Sequence, residues 1–190
     1  MPPSADEAVT QLLLGRCVAG VPEAWRELHR DFYPVVRRFA RGMGVRHEDI
    51  PDLCQEVFVQ VFTYLNKFKG DAAFKTWLYR ICLSQVARFR RRQRVREALE
   101  LVFRRDAPAR AMLATESLNE SLVRTTELAI SQLKPHLREV FVMFEIEGLD
   151  GAEIAKVLDC PTGTVRRRLH QARQAIEAAL GVGTSKEGSL

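Results

Sequence analysis

Residues 151–173 read GAEIAKVLDCPTGTVRRRLHQAR. Ile154, Ala155 and Leu158 recur at three- and four-residue steps, as on the inward face of a short helix. Asp159-Cys160-Pro161 makes a three-residue turn, and Thr162 stands where the cap of a following helix belongs. Beyond it Val165, Leu169, Ala172, Ile176 and Leu180 form an apolar stripe of helical period. A short helix, a tight turn and a longer basic helix make the pattern of a helix-turn-helix. With Val165 and Leu169 inward, Thr164, Arg166, Arg167 and His170 fall toward the outer face of the first two turns, and Arg173 lies further along. A recognition helix presents those turns to the major groove, where its N-terminal dipole also favours phosphate. Helical hairpins that bind nothing share this spacing, so the readings of a DNA-reading helix and of a solvated face both stand at this point.

Working back toward the N-terminus, helical signals continue. A helix from about Asn119 or Ser121 carries Leu122, Leu128, Ile130 and Leu133. Pro135 opens another, with Leu137, Val140, Phe141 and Phe144, which Gly148 stops. Residues 93–120 mix Arg, Glu and Ala, include Pro108 and lack a dense apolar stripe; they read as a linker, with partial helix left open. Before them, residues 6–20 form a short helix with Leu12, Leu13 and Cys17 on one side, ended by Gly20. Pro22 begins a helix bearing Trp25, Leu28, Phe32 and Val36, in which Pro34 marks a kink or a split. Asp49-Ile50-Pro51-Asp52 is a helix entry. Leu53, Val57, Phe58, Val61, Phe62 and Leu65 follow as a core stripe. After a polar loop, Asn66 to Ala73, a long helix carries Phe74, Trp77, Leu78, Ile81, Cys82 and Phe89 and runs into arginines. The expected fold is all-α, with two small helical domains, 8–96 and 121–181, a flexible linker over 97–120 and a disordered tail over 182–190.

The chain of 190 residues is 46% apolar and 28% charged, with a formal net charge of +5. That composition builds a core and disfavours general disorder. No apolar run is long enough to span a membrane, and residues 1–7 do not begin a signal peptide, so a cytoplasmic protein is expected. Most of its 29 basic residues are arginines. They gather in two clusters: Arg88, Arg90, Arg91, Arg92, Arg94 and Arg96, then Arg166, Arg167, Arg168, His170 and Arg173. The planar guanidinium fork suits phosphate and base edges. Cys17, Cys54, Cys82 and Cys160 are scattered and make no CxxC pair. His29, His47, His136 and His170 stand singly, so neither a metal site nor a cofactor is expected. No Walker-type loop, HExxH or GxSxG occurs, and no catalytic centre is expected.

Two longer motifs carry a family resemblance. The first is Asp52-Leu53-Cys54-Gln55-Glu56-Val57-Phe58, then Leu65, Phe68, Gly70, Phe74 and Thr76-Trp77-Leu78-Tyr79-Arg80-Ile81, ending in the arginine run. It resembles the second region of bacterial sigma factors, and within the sigma-70 family the extracytoplasmic-function (ECF) group. The second is Leu133, Pro135, Arg138-Glu139-Val140-Phe141, Glu147-Gly148-Leu149, Glu153-Ile154-Ala155, Leu158, Cys160-Pro161, Gly163-Thr164-Val165, Arg168-Leu169 and Ala172-Arg173. It resembles the fourth region of the same group. Both stand in the family's order.

The resemblance implies an RNA polymerase sigma factor that binds core polymerase, directs it to promoters and helps melt DNA. It implies core-polymerase contacts at Asp52, Gln55, Glu56 and Phe58. The −10 promoter element would be read and opened by Phe68, Lys69, Phe74, Lys75, Arg80, Arg88, Arg91 and Arg92. There, aromatic stacking on an opened base adds about 1–3 kcal/mol and arginines neutralise the backbone. Trp77 also fits a core aromatic, and Phe68 and Phe74 fit either the core or a loop anchor. The −35 element would be read by Thr162, Thr164, Arg166, Arg167, His170 and Arg173. An anti-sigma protein clamped between the two domains is an implied partner. The sequence departs from the family at Pro51, at Ser84 and Arg88, and at Arg167. Arg88 reverses a charge facing DNA or a neighbouring helix, and Arg167 replaces a small side chain. Two other readings stay open: a helix-turn-helix regulator that does not bind core, and an adaptor that mimics a sigma factor to sequester an anti-sigma protein.

Overall fold

Gly20 takes a left-handed φ of 81°, and Pro22 opens the next helix. A left-handed glycine ends a helix at little cost, and proline fits a first turn because that amide has no intrahelical partner. A computed structural model describes residues 5–70, 72–103 and 118–180. Helix α1 spans Ala5–Val18, α2 Pro22–Gly42, α3 Ile50–Tyr64 and α4 Phe74–Phe103. Helix α5 spans Leu118–Gln132, α6 Pro135–Phe141, α7 Gly151–Leu158 and α8 Thr162–Ala179. A π-helical segment, Val142–Ile146, extends α6. No strand occurs among the described residues.

Pro34 lies inside α2 without splitting it. Its ring is exposed, so the missing amide costs one hydrogen bond on the solvent side, while Leu28, Phe32, Val36 and Phe39 are buried on the other. Helix α3 starts as expected, with Asp49 at the cap and Pro51 in the first turn. The N-terminal core is built from Leu28, Val36, Phe39, Leu53, Val57, Val61, Phe74, Leu78 and Tyr79. The C-terminal core is built from Ile130, Leu137, Val140, Met143, Ile154, Val165, Leu169, Ala172 and Ile176. Each Leu, Ile, Val, Phe or Met side chain among these contributes about 1.5–3 kcal/mol when removed from water. The two halves also pack on each other, α7 against α4 and the π-helical segment against α2.

Several expectations are corrected. Leu12 is 73% exposed and Leu14 takes its place inside with Leu13 and Cys17. Phe62 is 66% exposed, because the inward face of α3 runs through Ile50, Leu53, Cys54, Val57 and Val61. Leu128 also faces out, at 54%, while Ala129, Ile130 and Leu133 face in. Helix α4 continues past residue 96 to Phe103 and α5 begins at Leu118, so the linker stretch is partly helical, one of the readings left open for it. The remainder of that linker, 104–117, and the tail lie outside the described residues. Thr162 does not cap α8. Asp159 turns left-handed at φ 49°, the extended Pro161 becomes the cap residue, and its carbonyl accepts the Thr164 amide at 2.9 Å. The turn thus closes one residue early.

Candidate polymerase and promoter interfaces

Asp150 fixes the start of the helix-turn-helix. Its carboxylate accepts the amides of Ala152 and Glu153 at 2.8 Å, and Glu153 reaches back to the Asp150 amide at 2.8 Å. This reciprocal cap satisfies donors that α7 would otherwise leave bare. After the left-handed Asp159, α8 packs Val165, Leu169, Ala172 and Ile176 inward. Arg166, Arg167 and His170 project from its opposite side, exposed and without an ion pair among the described residues. Thr162 is exposed and Thr164 half-buried. Arg173 is exposed but engaged, pairing with Glu145 at 2.6 Å and lying 5.3 Å over the Phe144 ring. Arg168 turns partly inward toward Glu139, whose carboxyl burial pushes upward and whose charge Arg168 and Arg90 favour.

The loop before α4 brings three rings together. Phe68, Phe74 and Trp77 have centroids 5.3–5.8 Å apart. Phe74 is only 1% exposed and also packs edge-on against Phe32 at 4.9 Å. Of the two readings open for Phe74, core residue and loop anchor, its burial fits the first: it supports the loop from the core. Phe68 and Trp77 are half-buried, and Lys69 and Lys75 are exposed beside them. Further along α4, Arg88 and Arg91 face solvent, so among the described residues the reversed charge at Arg88 is not packed against a neighbouring helix. Arg92 is tied to both oxygens of Glu56 at 2.6 Å. Arg80 gives its guanidinium to the Lys156 carbonyl of α7, with Nε at 3.2 Å.

On α3, Asp52 and Gln55 are exposed, and Glu56 is half-buried under Arg92. Phe58 is half-buried, its ring 4.5 Å from His29. Sequence reasoning missed two residues here. Val59 and Phe62, 53% and 66% exposed, continue the Asp52–Gln55 face at helical spacing. Phe62 meets Trp25 at 4.8 Å and borders a groove of about 660 Å³ with Pro22, Phe58 and Leu65. Apolar residues that overrun the width of a core stripe were the available signal.

Among the described residues every buried side-chain nitrogen and oxygen has a hydrogen-bond partner. Arg138 donates to the carbonyls of Ile130 at 2.9 Å, Met43 at 3.0 Å and Leu133 at 3.1 Å, and to that of Ser131. Burial first, then the nearby Arg90, pushes its pKa down to about 10, so it stays charged at neutral pH. The described residues contain no cluster of metal-ligating groups.

Two helical modules, one presenting an arginine-lined α4 and the other a helix-turn-helix whose last helix is basic, define the class of a helix-turn-helix DNA-binding protein. The family model for sigma-70 region 2 matches residues 28–96, and that for sigma-70 region 4 matches residues 124–176. The chain is 34% identical to the ECF RNA polymerase sigma-E factor of Haemophilus influenzae over 91% of its own length and 96% of that protein. It is 34% identical to the Escherichia coli K12 sigma-E factor over 68% of its length and 72% of that protein. Among solved structures it resembles CnrH in complex with the cytosolic domain of CnrY. The TM-score is 0.67 at 26% identity, covering 91% of this chain and 97% of that one. It shares its fold with the sigma factor RpoE of Bartonella quintana, solved with the anti-sigma factor NepR, at TM-score 0.63 and 21% identity, over 84% and 99% of the two chains. The chain belongs to the ECF group of the sigma-70 family of RNA polymerase sigma factors. As a sigma factor it works with core RNA polymerase on promoter DNA.

Proposed function

We propose that this chain docks on core polymerase through the outer face of α3 and reads two promoter elements with α4 and α8. The observation that carries this reading is the separation of three surfaces on one fold. Asp52, Gln55, Val59 and Phe62 line one side of α3. Phe68, Lys69, Lys75, Arg80, Arg88 and Arg91 surround the loop and outer side of α4. Arg166, Arg167 and His170 crown α8. The α3 face pairs a polar half with an apolar half, as the centre and rim of a protein interface require. Phe58 and Glu56 act from behind it, and Phe74 from behind the α4 loop.

At the −35 element, Arg166 and Arg167 contact base edges or phosphates, and Thr162 and Thr164 position the helix N-terminus. At the −10 element, Phe68 stacks on an opened base while Lys69, Lys75, Arg88 and Arg91 follow the strand. The protein carries out no covalent step of its own. It acts in the cytoplasm, where the polymerase works. CnrH and RpoE were solved with CnrY and the anti-sigma factor NepR. That supports an anti-sigma protein as a regulatory partner of this chain.

A paired experiment separates this reading from a core-independent regulator and from an adaptor. Gln55→Ala with Phe62→Ala is expected to abolish co-elution with purified core. Arg166→Glu with Arg167→Glu is expected to leave co-elution intact and abolish promoter-specific transcripts. Co-elution insensitive to the first pair would overturn the α3 assignment, and transcription insensitive to the second would overturn that of α8.

A further inference from the structure

The first turn of α4 lacks a cap of its own. The Ala73 carbonyl accepts the Trp77 amide at 3.3 Å, which makes Ala73 the cap residue, and its methyl side chain has no oxygen to offer the bare amides. The missing acceptor comes from the other end of this module. Glu7 of α1 accepts the Phe74 amide at 3.2 Å through Oε1. The same oxygen accepts Nε2 of Gln11, one turn along α1, at 3.0 Å. A carboxylate here also suits the positive end of the α4 dipole.

Gln11 makes a second approach. Gly70 takes a left-handed φ of 75°, and a Cβ built on it would stand 3.9 Å from Gln11 Oε1 and 4.0 Å from Nε2. The side-chain amide of Gln11 therefore lies beside Gly70, on the side a Cβ would occupy. Glu7, Gln11 and Leu14 follow one another at four- and three-residue steps, so they share one face of α1. Leu14 is buried with Leu13 and Cys17, and α1 packs on α2. The helix that holds Glu7 is thus itself fixed to the core. It lies outside residues 28–96, where the region 2 family model matches.

The groups proposed above for the −10 element stand between and beside these two points. Phe68 and Lys69 precede Gly70, and Lys75 follows Phe74. The Phe68 ring packs on the Phe74 ring at 5.8 Å, and Glu7 holds the Phe74 amide. A displacement of Phe74 carries Phe68 with it. Stacking on an opened base contributes only when the ring already stands where the base arrives, and such groups need holding to about 0.5 Å.

We propose that Glu7, held by Gln11, is a positioning residue for promoter opening. It ties the start of α4 to α1, with Gln11 beside Gly70, so that Phe68, Lys69 and Lys75 meet the −10 element in one arrangement. The inference rests on the −10 assignment proposed above, and its test separates failure of the two.

The test uses core polymerase with the full chain on a promoter fragment recovered by mapping start sites that depend on wild type. Lags in abortive synthesis separate initial binding from opening. Glu7→Ala is expected to slow opening roughly tenfold, the scale of one lost hydrogen bond to a charged group, with initial binding and co-elution with core unchanged. Glu7→Gln keeps an acceptor oxygen and is expected to retain most of the opening rate. Glu7→Ala with Ala73→Ser restores a cap within α4 but not the tie to α1. Its urea midpoint is expected to return to that of wild type while opening stays slow. Phe68→Ala reports on the −10 assignment itself and is expected to slow opening. Slow opening with Phe68→Ala beside wild-type opening with Glu7→Ala would overturn this inference alone. Wild-type opening with Phe68→Ala would overturn the −10 assignment and this inference with it. Recovery of opening on adding Ala73→Ser would reduce Glu7 to a helix cap and overturn the proposal, as would Glu7→Gln as slow as Glu7→Ala.

Discussion

Arg138 can enter the interior because four carbonyl oxygens receive it. Replacing it with Met keeps the volume but strips those carbonyls of their donor. An unsatisfied buried polar group costs about 1–3 kcal/mol, so Arg138→Met is expected to destabilise by about 2–4 kcal/mol, read as a lower urea midpoint. Loss under about 0.5 kcal/mol, the range of an ordinary surface change, would contradict the role assigned to these bonds. The thiols give a second residue-scale prediction. Cys17, Cys54 and Cys82 are buried, and burial raises their pKa values, that of Cys54 to about 11. A raised thiol pKa means less thiolate at mildly alkaline pH, and only thiolate alkylates readily. Cys160 is half-exposed in the turn before α8. Native chain treated with iodoacetamide is expected to label at Cys160 first, with the other three protected until denaturant is added. Equal labelling at all four would contradict the packing described. The scattered spacing of the cysteines already spoke against zinc or disulfides; which of them is accessible depends on tertiary contacts that spacing does not encode.

Helix α3 shows how far periodicity carries an element. Its entry at Asp49–Pro51 and its stripe through Leu53, Val57 and Val61 were legible because capping chemistry and a four-residue step are local. Phe62 was misplaced because apolar residues occupy two faces of this helix, and periodicity cannot say which one meets the core. The distinction is measurable. Leu53→Ala removes a side chain 1% exposed and is expected to cost about 2–5 kcal/mol of stability. Phe62→Ala is expected to change stability little and to weaken core binding at least tenfold, read by titration of core polymerase. The reverse pattern would make Phe62 a packing residue. The stretch from Pro135 to Ile146 failed for a different reason. Its apolar spacing fits an ordinary helix, and the π turn appears only through the extra-long hydrogen bond at Glu147. Helix α8 was nearly legible throughout, since its inward stripe and exposed arginines are consequences of one period. Only its cap was misassigned, to Thr162 instead of Pro161.

At the scale of the whole molecule, two helical modules could be read from the sequence because each carries its own apolar stripes and its own motif. Their docking could not. Glu147 accepts hydrogen bonds from Arg38 and Tyr79, 109 and 68 residues away along the chain, and nothing local to any of them announces the contact. On the function proposed above, three surfaces have separate tasks, for core polymerase, for an opened strand and for duplex DNA. The central claim is that these surfaces act together in initiation at defined promoters. It is tested most directly by in vitro transcription from fragments of its own genome, using purified core polymerase with and without the full-length chain. The account predicts discrete start sites that appear only with the chain and vanish when Arg166→Glu and Arg167→Glu are introduced. Transcription no more specific than that of core alone, on every fragment, would contradict it.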